Sequence, residues 1–201
     1  MLDPGHGGTD TGARGAAGIA EKDLVMQFAR ALRAELERLG YRVAMTRNDD
    51  SNPSYDDRAA FGNAYRDAIF VSLHVSSTGK IGTARTYYYQ VSPAPSAPSA
   101  SPSSPITWED AQRPFAETSR RLANLVQIEL SHRFAGSPNA PTPVAVRSLR
   151  SVGAPAVAVE ISSVVASDTV AVTSLVGPLA NSVARGVVAF HPITPVATGL
   201  P

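Results

Sequence analysis

Ala68-Ile69-Phe70-Val71-Ser72-Leu73-His74 is an apolar run closed by an imidazole. It is too short for an ordinary helix and is bounded by polar residues, so it predicts a strand buried on both faces, as in a parallel sheet. His74 then stands at the C-terminal end of that strand, where open α/β sheets bind their ligands. Pro155-Ala156-Val157-Ala158-Val159-Glu160 repeats the pattern, with a continuous apolar strand over Ala156 to Glu160 that ends in a carboxylate. Around these two strands the hydrophobic period changes. Leu24, Val25, Phe28, Ala31, Leu32, Leu36 and Leu39 fall at helical spacing from about Glu21 to Leu39, and Gly40 stands where a helix stop is expected. Tyr41 to Thr46 reads as a short strand, Ser54 to Tyr65 as a helix capped by Ser54, and Thr86 to Val91 as a tyrosine-rich strand. Arg113 to Phe134 and Leu179 to Phe190 read as helices. Strands alternating with helices predict an α/β fold, a three-layer sandwich with a mostly parallel twisted sheet and helices on both faces.

The chain of 201 residues is 43% hydrophobic, enough for one full core, and a single domain over residues 1–201 is expected. Its net charge is +1 with no basic stripe, so nothing points to nucleic acid. The absence of cysteine excludes disulfides and thiolate ligands while leaving the compartment open. No apolar stretch approaches the length of a membrane span. Residues 92–105, Ser-Pro-Ala-Pro-Ser-Ala-Pro-Ser-Ala-Ser-Pro-Ser-Ser-Pro, lack apolar anchors and repeatedly remove backbone donors, which predicts an inserted surface loop. A domain boundary there would separate the candidate histidines from the candidate base. Only Met1 and Leu2 precede Asp3-Pro4-Gly5, too few residues for the strand that such a turn normally follows. A first strand truncated at the N-terminus is therefore expected, and a missing signal peptide carries no information on compartment.

Four residues carry the chemistry. His6 lies in the glycine-rich turn Asp3-Pro4-Gly5-His6-Gly7-Gly8, Glu21 opens the first helix, and His74 closes its strand. Two histidines and one glutamate compose a catalytic zinc set, because three protein ligands leave a fourth position open for water. Glu160, ending an otherwise apolar strand, is partly desolvated and suited to general-base work beside that water. Each residue taken alone has a plainer role. A histidine in a Pro-Gly turn is often solvated, and an acid in a first helical turn complements the helix dipole. A strand-end histidine can be a hydrogen-bonded core residue, and Glu160 can pair with an arginine. The ordered combination is what favours a site. His132 and His191 read as surface residues, and at least one ring of Tyr87-Tyr88-Tyr89 is expected in the core.

With these residues in place, the chain resembles the zinc-dependent N-acetylmuramoyl-L-alanine amidases of the type 3 family. The opening Asp-Pro-Gly-His-Gly-Gly, Gly18-Ile19-Ala20-Glu21-Lys22-Asp23, Thr46-Arg47 and Arg58 with Asn63 are similar to segments of that family in order. So are Phe70 to His74 and Leu149-Arg150 followed by Pro155 to Glu160. The resemblance spans nearly the whole chain. It implies His6, Glu21 and His74 as Zn²⁺ ligands and Glu160 as the catalytic glutamate. It also implies cleavage of peptidoglycan between the lactyl group of muramic acid and L-alanine, outside the cytoplasm in the periplasm or wall. The expected partner is a peptidoglycan strand or muropeptide, the expected state a monomer, and any activator is unknown. Val75-Ser76 after His74 and Ile161 to Ala166 after Glu160 depart from the family pattern, which bears on specificity and turnover more than on metal binding. Two alternatives stand beside this reading. One is a zinc carboxypeptidase-like hydrolase in which Arg47, Arg58 or Arg150 reads a terminal carboxylate. The other is a non-catalytic wall-binding protein on an amidase fold.

Overall fold

The structure, a computed structural model, describes residues 1–15, 18–91, 108–162 and 169–191. In chain order its elements are β1 (Leu2–Pro4), α1 (Glu21–Arg38), α2 (Tyr55–Asn63), β2 (Phe70–Ser76), β3 (Ala84–Tyr89), α3 (Ala116–Arg133), β4 (Thr142–Val144), α4 (Arg147–Arg150), β5 (Ala156–Ser162), α5 (Thr169–Thr173) and α6 (Val176–Phe190). Two 3₁₀ turns, Trp108–Asp110 and Arg113–Phe115, lead into α3. The predicted loop at residues 92–105 lies outside the described residues, and the strands before and after it join one sheet.

The sheet order is β1-β2-β5-β3-β4. β1, β2 and β5 run parallel, β3 is antiparallel to β5, and β4 is parallel to β3. The mostly parallel expectation therefore holds, with β3 and β4 reversed on one side. The apolar runs Phe70–Ser76 and Ala156–Ser162 are the two neighbouring interior strands, which is why neither shows polar alternation. Their register sets His74 directly opposite Glu160.

Each strand sends alternate residues to opposite faces. Val71, Leu73, Val75, Val157, Val159 and Ile161 enter the large cluster built with α1, α3 and α6. Each such side chain contributes on the order of 1.5–3 kcal/mol by leaving water. Phe70, Ala156 and Ala158 face the other way, into a smaller cluster with Ala59 of α2 and Leu149 of α4. The two short helices cover only the N-terminal part of β2 and β5 on that face. His74 and Glu160, pointing the same way at the far end, are left half-buried and reachable.

Local signals explain the helix ends. α1 stops in a Schellman arrangement, with Tyr41 N–H bonded to Leu36 O at 3.0 Å and Gly40 N–H to Glu37 O at 3.0 Å. Gly40 supplies the left-handed φ of 90° that this closure requires. Ser54 caps α2 in a reciprocal box with Asp57. Three expectations need correction. Tyr41 to Thr46 does not form a strand of its own. Only Met45 bridges Leu2, because the partner β1 is three residues long. Asp3 and Pro4, read as the start of a turn, belong to β1 and pair with Ser72 and Leu73. Tyr88 packs on the large cluster and Tyr87 and Tyr89 on the small one, but each is only half-buried, since they lie on the strand next to the exposed edge strand β4.

Candidate metal centre

β1 delivers the loop that carries His6 to the C-terminal end of β2, and Gly5 N–H bonds to Leu73 O at 3.1 Å. Gly5 is required there. A Cβ at that position would lie 2.5 Å from His74 Cε1, so only glycine lets the loop cross against the imidazole. His6 adopts φ 60°, a left-handed conformation that costs a non-glycine residue energy unless its surroundings enforce it.

Two buried arginines do the enforcing. Arg47 is 3% exposed and donates from Nε to Pro4 O at 2.9 Å and from Nη2 to Gly5 O at 2.8 Å. Arg58 is 4% exposed and donates from Nη1 to Pro4 O at 2.7 Å and from Nη2 to His6 O at 2.8 Å. Consecutive carbonyls of the loop are thus pinned by guanidiniums. Arg58 Nη1 also bonds the buried carboxylate of Asp3 at 2.8 Å, and Thr46 Oγ1 donates to the same oxygen at 2.7 Å. Arg58→Met should therefore strand a buried charge and leave carbonyls unpaired, destabilising the fold by about 3–5 kcal/mol. Denaturant unfolding measures this, and a loss below about 1 kcal/mol would show that the cluster is structurally dispensable.

Glu21, buried at the first position of α1, lies between the two histidines. Its Oε2 is 3.2 Å from His6 Nε2 and its Oε1 is 3.1 Å from His74 Nδ1. Ala13 N–H donates to Oε2 at 2.8 Å and Val75 N–H to Oε1 at 2.9 Å. Burial pushes this carboxyl upward, but hydrogen bonds from His6, His74 and the Ala13 amide outweigh it and hold the group well below the ordinary carboxylate range. The side chain does not cap its own helix. Gly12, at φ 62°, makes room for it, since a Cβ there would meet Glu21 Oε2 at 2.5 Å and His6 Cδ2 at 2.7 Å.

One donor atom from each of His6, Glu21 and His74 lies within 4.8 Å of the others. The imidazoles stand edge to face at 89°, with centroids 5.3 Å apart. Each ring's other nitrogen is anchored. His6 Nδ1 meets Asp10 Oδ2 at 2.9 Å, and His74 Nε2 meets Ser72 Oγ at 3.3 Å. Ser72 Oγ in turn donates to Asp3 Oδ2 at 2.9 Å. Such supports orient imidazoles that ligate metals. Two imidazole nitrogens and a carboxylate, converging and supported in this way, fit a divalent zinc-type ion.

Glu160 stands one strand away from His74 on the same face, outside this trio. Tyr87 Oη donates to its Oε1 at 3.1 Å. Burial raises the Tyr87 phenol, and the charge and hydrogen bond of Glu160 raise it further against the influence of Arg85, so the hydroxyl keeps the proton it donates. The structure thus brings His6, Glu21 and His74 together and sets Glu160 beside them. His132 and His191 are exposed, as expected. Nothing in the sequence marks Asp3, Asp10, Ser72 and Tyr87 as supports. Arg47 and Arg58, candidate readers of a substrate carboxylate, are both spent on the His6 loop.

The family model for N-acetylmuramoyl-L-alanine amidase matches residues 1–188. The amidase AmiC of Neisseria meningitidis is 48% identical over 77 residues, covering 38% of this chain and 18% of that protein. The sporulation-specific N-acetylmuramoyl-L-alanine amidase of Bacillus subtilis is 38% identical over 127 residues, 62% of this chain and 48% of that protein. The matched stretch is therefore less than half the length of either relative. Among solved structures, the CwlD amidase of Clostridioides difficile in complex with the GerS lipoprotein matches with a TM-score of 0.73 at 21% identity, over 94% of this chain and 95% of that one. Ami1 of Mycobacterium smegmatis matches with a TM-score of 0.72 at 22% identity, over 94% of each chain. At these identities the structures establish a shared fold.

Proposed function

The chain belongs to the N-acetylmuramoyl-L-alanine amidase family, and from that premise we propose that it hydrolyses the amide between N-acetylmuramic acid and L-alanine in peptidoglycan, using zinc. The observation that carries the reading is one of geometry. The donor atoms of His6, Glu21 and His74 converge, and Glu160 lies opposite His74 on the next strand. His6, Glu21 and His74 would hold the zinc, which would supply a Lewis acid for the scissile carbonyl and lower the pKa of the attacking water. Glu160 takes the proton of the attacking water and passes it to the leaving L-alanine nitrogen. Tyr87, donating to Oε1, keeps the carboxylate in one orientation for that transfer. Asp10 and Ser72 fix the two imidazoles, so that the ligand nitrogens face inward.

The substrate places the activity outside the cytoplasm, in the periplasm or wall, and no described helix is long and apolar enough to cross a membrane. We take the catalytic unit to be a single domain acting as a monomer. The carboxypeptidase-like alternative is weakened by Arg47 and Arg58, whose guanidiniums are buried on backbone carbonyls. Mass spectrometry of muropeptide digests is the direct test. Peptides with a free L-alanine amino terminus and an uncut glycan are the expected products. Loss of a C-terminal D-alanine would replace this reading with the carboxypeptidase. Sedimentation with a cognate wall, without either product, would replace it with the binding protein.

A further inference from the structure

His74, Glu160 and Arg85 stand in one row across the sheet. Glu160 opposes His74 where β2 pairs with β5, and it opposes Arg85 where β5 pairs with β3. Neighbouring strands lie roughly 4.8 Å apart, so an imidazole of the trio, the proposed base and a guanidinium follow one another at that interval. All three belong to the same face. Residues two apart in a strand point the same way, and Tyr87, two along from Arg85, donates to Glu160 Oε1 at 3.1 Å. Thr86, between them, points the other way. It is buried against α3, where its Oγ1 donates to Ala123 O at 3.1 Å.

Arg85 is exposed, although Ala84 and Thr86 on either side of it are buried. Burial is the main cause that raises the Tyr87 phenol, and Arg85 opposes the rise through its charge and a hydrogen bond. Its guanidinium therefore turns toward the hydroxyl that Glu160 holds. Among the described residues it forms no ion pair, in contrast to Arg58, whose guanidinium is closed on Asp3 and the His6 loop.

The row has a direction, from metal ligand through base to cation, and a peptidoglycan strand has one too. On the glycan side of the scissile amide the sugars carry neutral hydroxyl and acetamido groups, and the lactyl carboxyl is consumed in the amide itself. On the peptide side, the residue after L-alanine is a glutamate joined through its γ-carboxyl, which leaves its α-carboxylate free. An extended chain advances roughly 3.3–3.6 Å per residue. A scissile amide held between the trio and Glu160 thus brings that carboxylate one strand further on, to the level of Arg85. A guanidinium is suited to it, since its planar fork takes a carboxylate through two parallel hydrogen bonds.

Resting on the amidase reading, we infer that Arg85 is a specificity-determining residue, which takes the free α-carboxylate of the second stem-peptide residue and so directs the peptide toward β3 and the glycan away from it. A wall in which that carboxylate is amidated is then a poor substrate.

The test uses two muramyl tripeptides that differ only at the second residue, one with the free α-carboxylate and the other with a carboxamide in its place. With wild type, kcat/KM for the free acid should exceed that for the amide about tenfold, the effect of one charge-assisted pair at a half-open site. In Arg85→Ala, an exposed side chain outside both hydrophobic clusters, this preference should disappear. Equal rates on the two substrates with wild type overturn the assignment, whatever the variant does. So does a variant that slows both substrates alike and keeps the preference, the result expected if Arg85 only steadies Tyr87. Calorimetry of zinc-loaded wild type with the two free tripeptides, which hold no scissile amide, supplies an arm independent of turnover. The free acid should bind about tenfold more tightly, with a difference that shrinks as salt rises and is absent in Arg85→Ala. Equal affinities, or binding of neither peptide, overturn the assignment. If wild type cleaves neither muramyl substrate the amidase reading falls, and the calorimetric arm still decides whether Arg85 reads a peptide carboxylate.

Discussion

Glu160→Gln should keep the fold and its metal while hydrolysis falls by roughly 10²–10⁴-fold, the usual cost of removing a general acid–base. Glutamine has nearly the size of glutamate, and its amide oxygen still accepts the 3.1 Å hydrogen bond from Tyr87. His6, Glu21 and His74 are untouched, since Glu160 is not among the converging donors. What is lost is the basic oxygen to which the proposed mechanism assigns removal of a proton from the attacking water. Three measurements make the case together: rates on muropeptides, metal content by atomic absorption, and the melting temperature. A variant within about threefold of wild type would remove Glu160 from the reaction, and one that lost both activity and metal would make it a ligand instead.

His6→Ala should go further, because it takes a donor from the trio and leaves Glu21 without one of its two imidazole partners. Metal content should drop to background and activity with it. The apo fold should persist, since His6 lies on a loop outside both hydrophobic clusters. The stabilisation that a bound ion adds by mass action would disappear as well. Acid should mimic the substitution. The hydrogen bond to Glu21 raises the His6 pKa, burial opposes it, and Asp10 adds to the rise. A ligating imidazole must be neutral, so occupancy should be full above that raised value and fall away as pH drops through it. Stoichiometric zinc retained in His6→Ala would mean that the ligand set is wrong.

The parts of this molecule legible in its sequence are those in which one chain segment determines its own state. α1 announced itself because Leu24, Val25, Phe28, Leu32 and Leu36 repeat at helical spacing and are all buried. β2 and β5 did so because interior strands are apolar on both faces. The direction of β3 left no mark, since a strand's residues do not record which way its neighbour runs. β4 was missed for a related reason. Thr142-Pro143-Val144 is short, exposed and contains a proline, which an edge strand tolerates. At the candidate site, residue type and order single out His6, Glu21, His74 and Glu160, and the fold brings the first three together. Asp3, Arg47, Arg58 and Tyr87 are not singled out, because each acts through a partner distant in the chain. A buried arginine reads in sequence as an ordinary surface cation, and only the fold shows it closing on the carbonyls of Pro4, Gly5 and His6.

The sheet order also has a consequence in time. β5 is late in the chain yet inserts between β2 and β3, two strands synthesised well before it. Chains leave the ribosome at about 5–20 residues per second, so for several seconds the nascent protein holds His6, Glu21 and His74 without the strand that bears Glu160. During that interval β2 and β3 cannot pair through their eventual neighbour, and the half-built sheet exposes an apolar edge that invites aggregation. The three converging donors are therefore all made early, whereas the proposed base joins them only when β5 slots into the middle of the sheet. On the proposed mechanism, Glu160 reaches its place opposite His74 only once β5 has been made and has entered between β2 and β3.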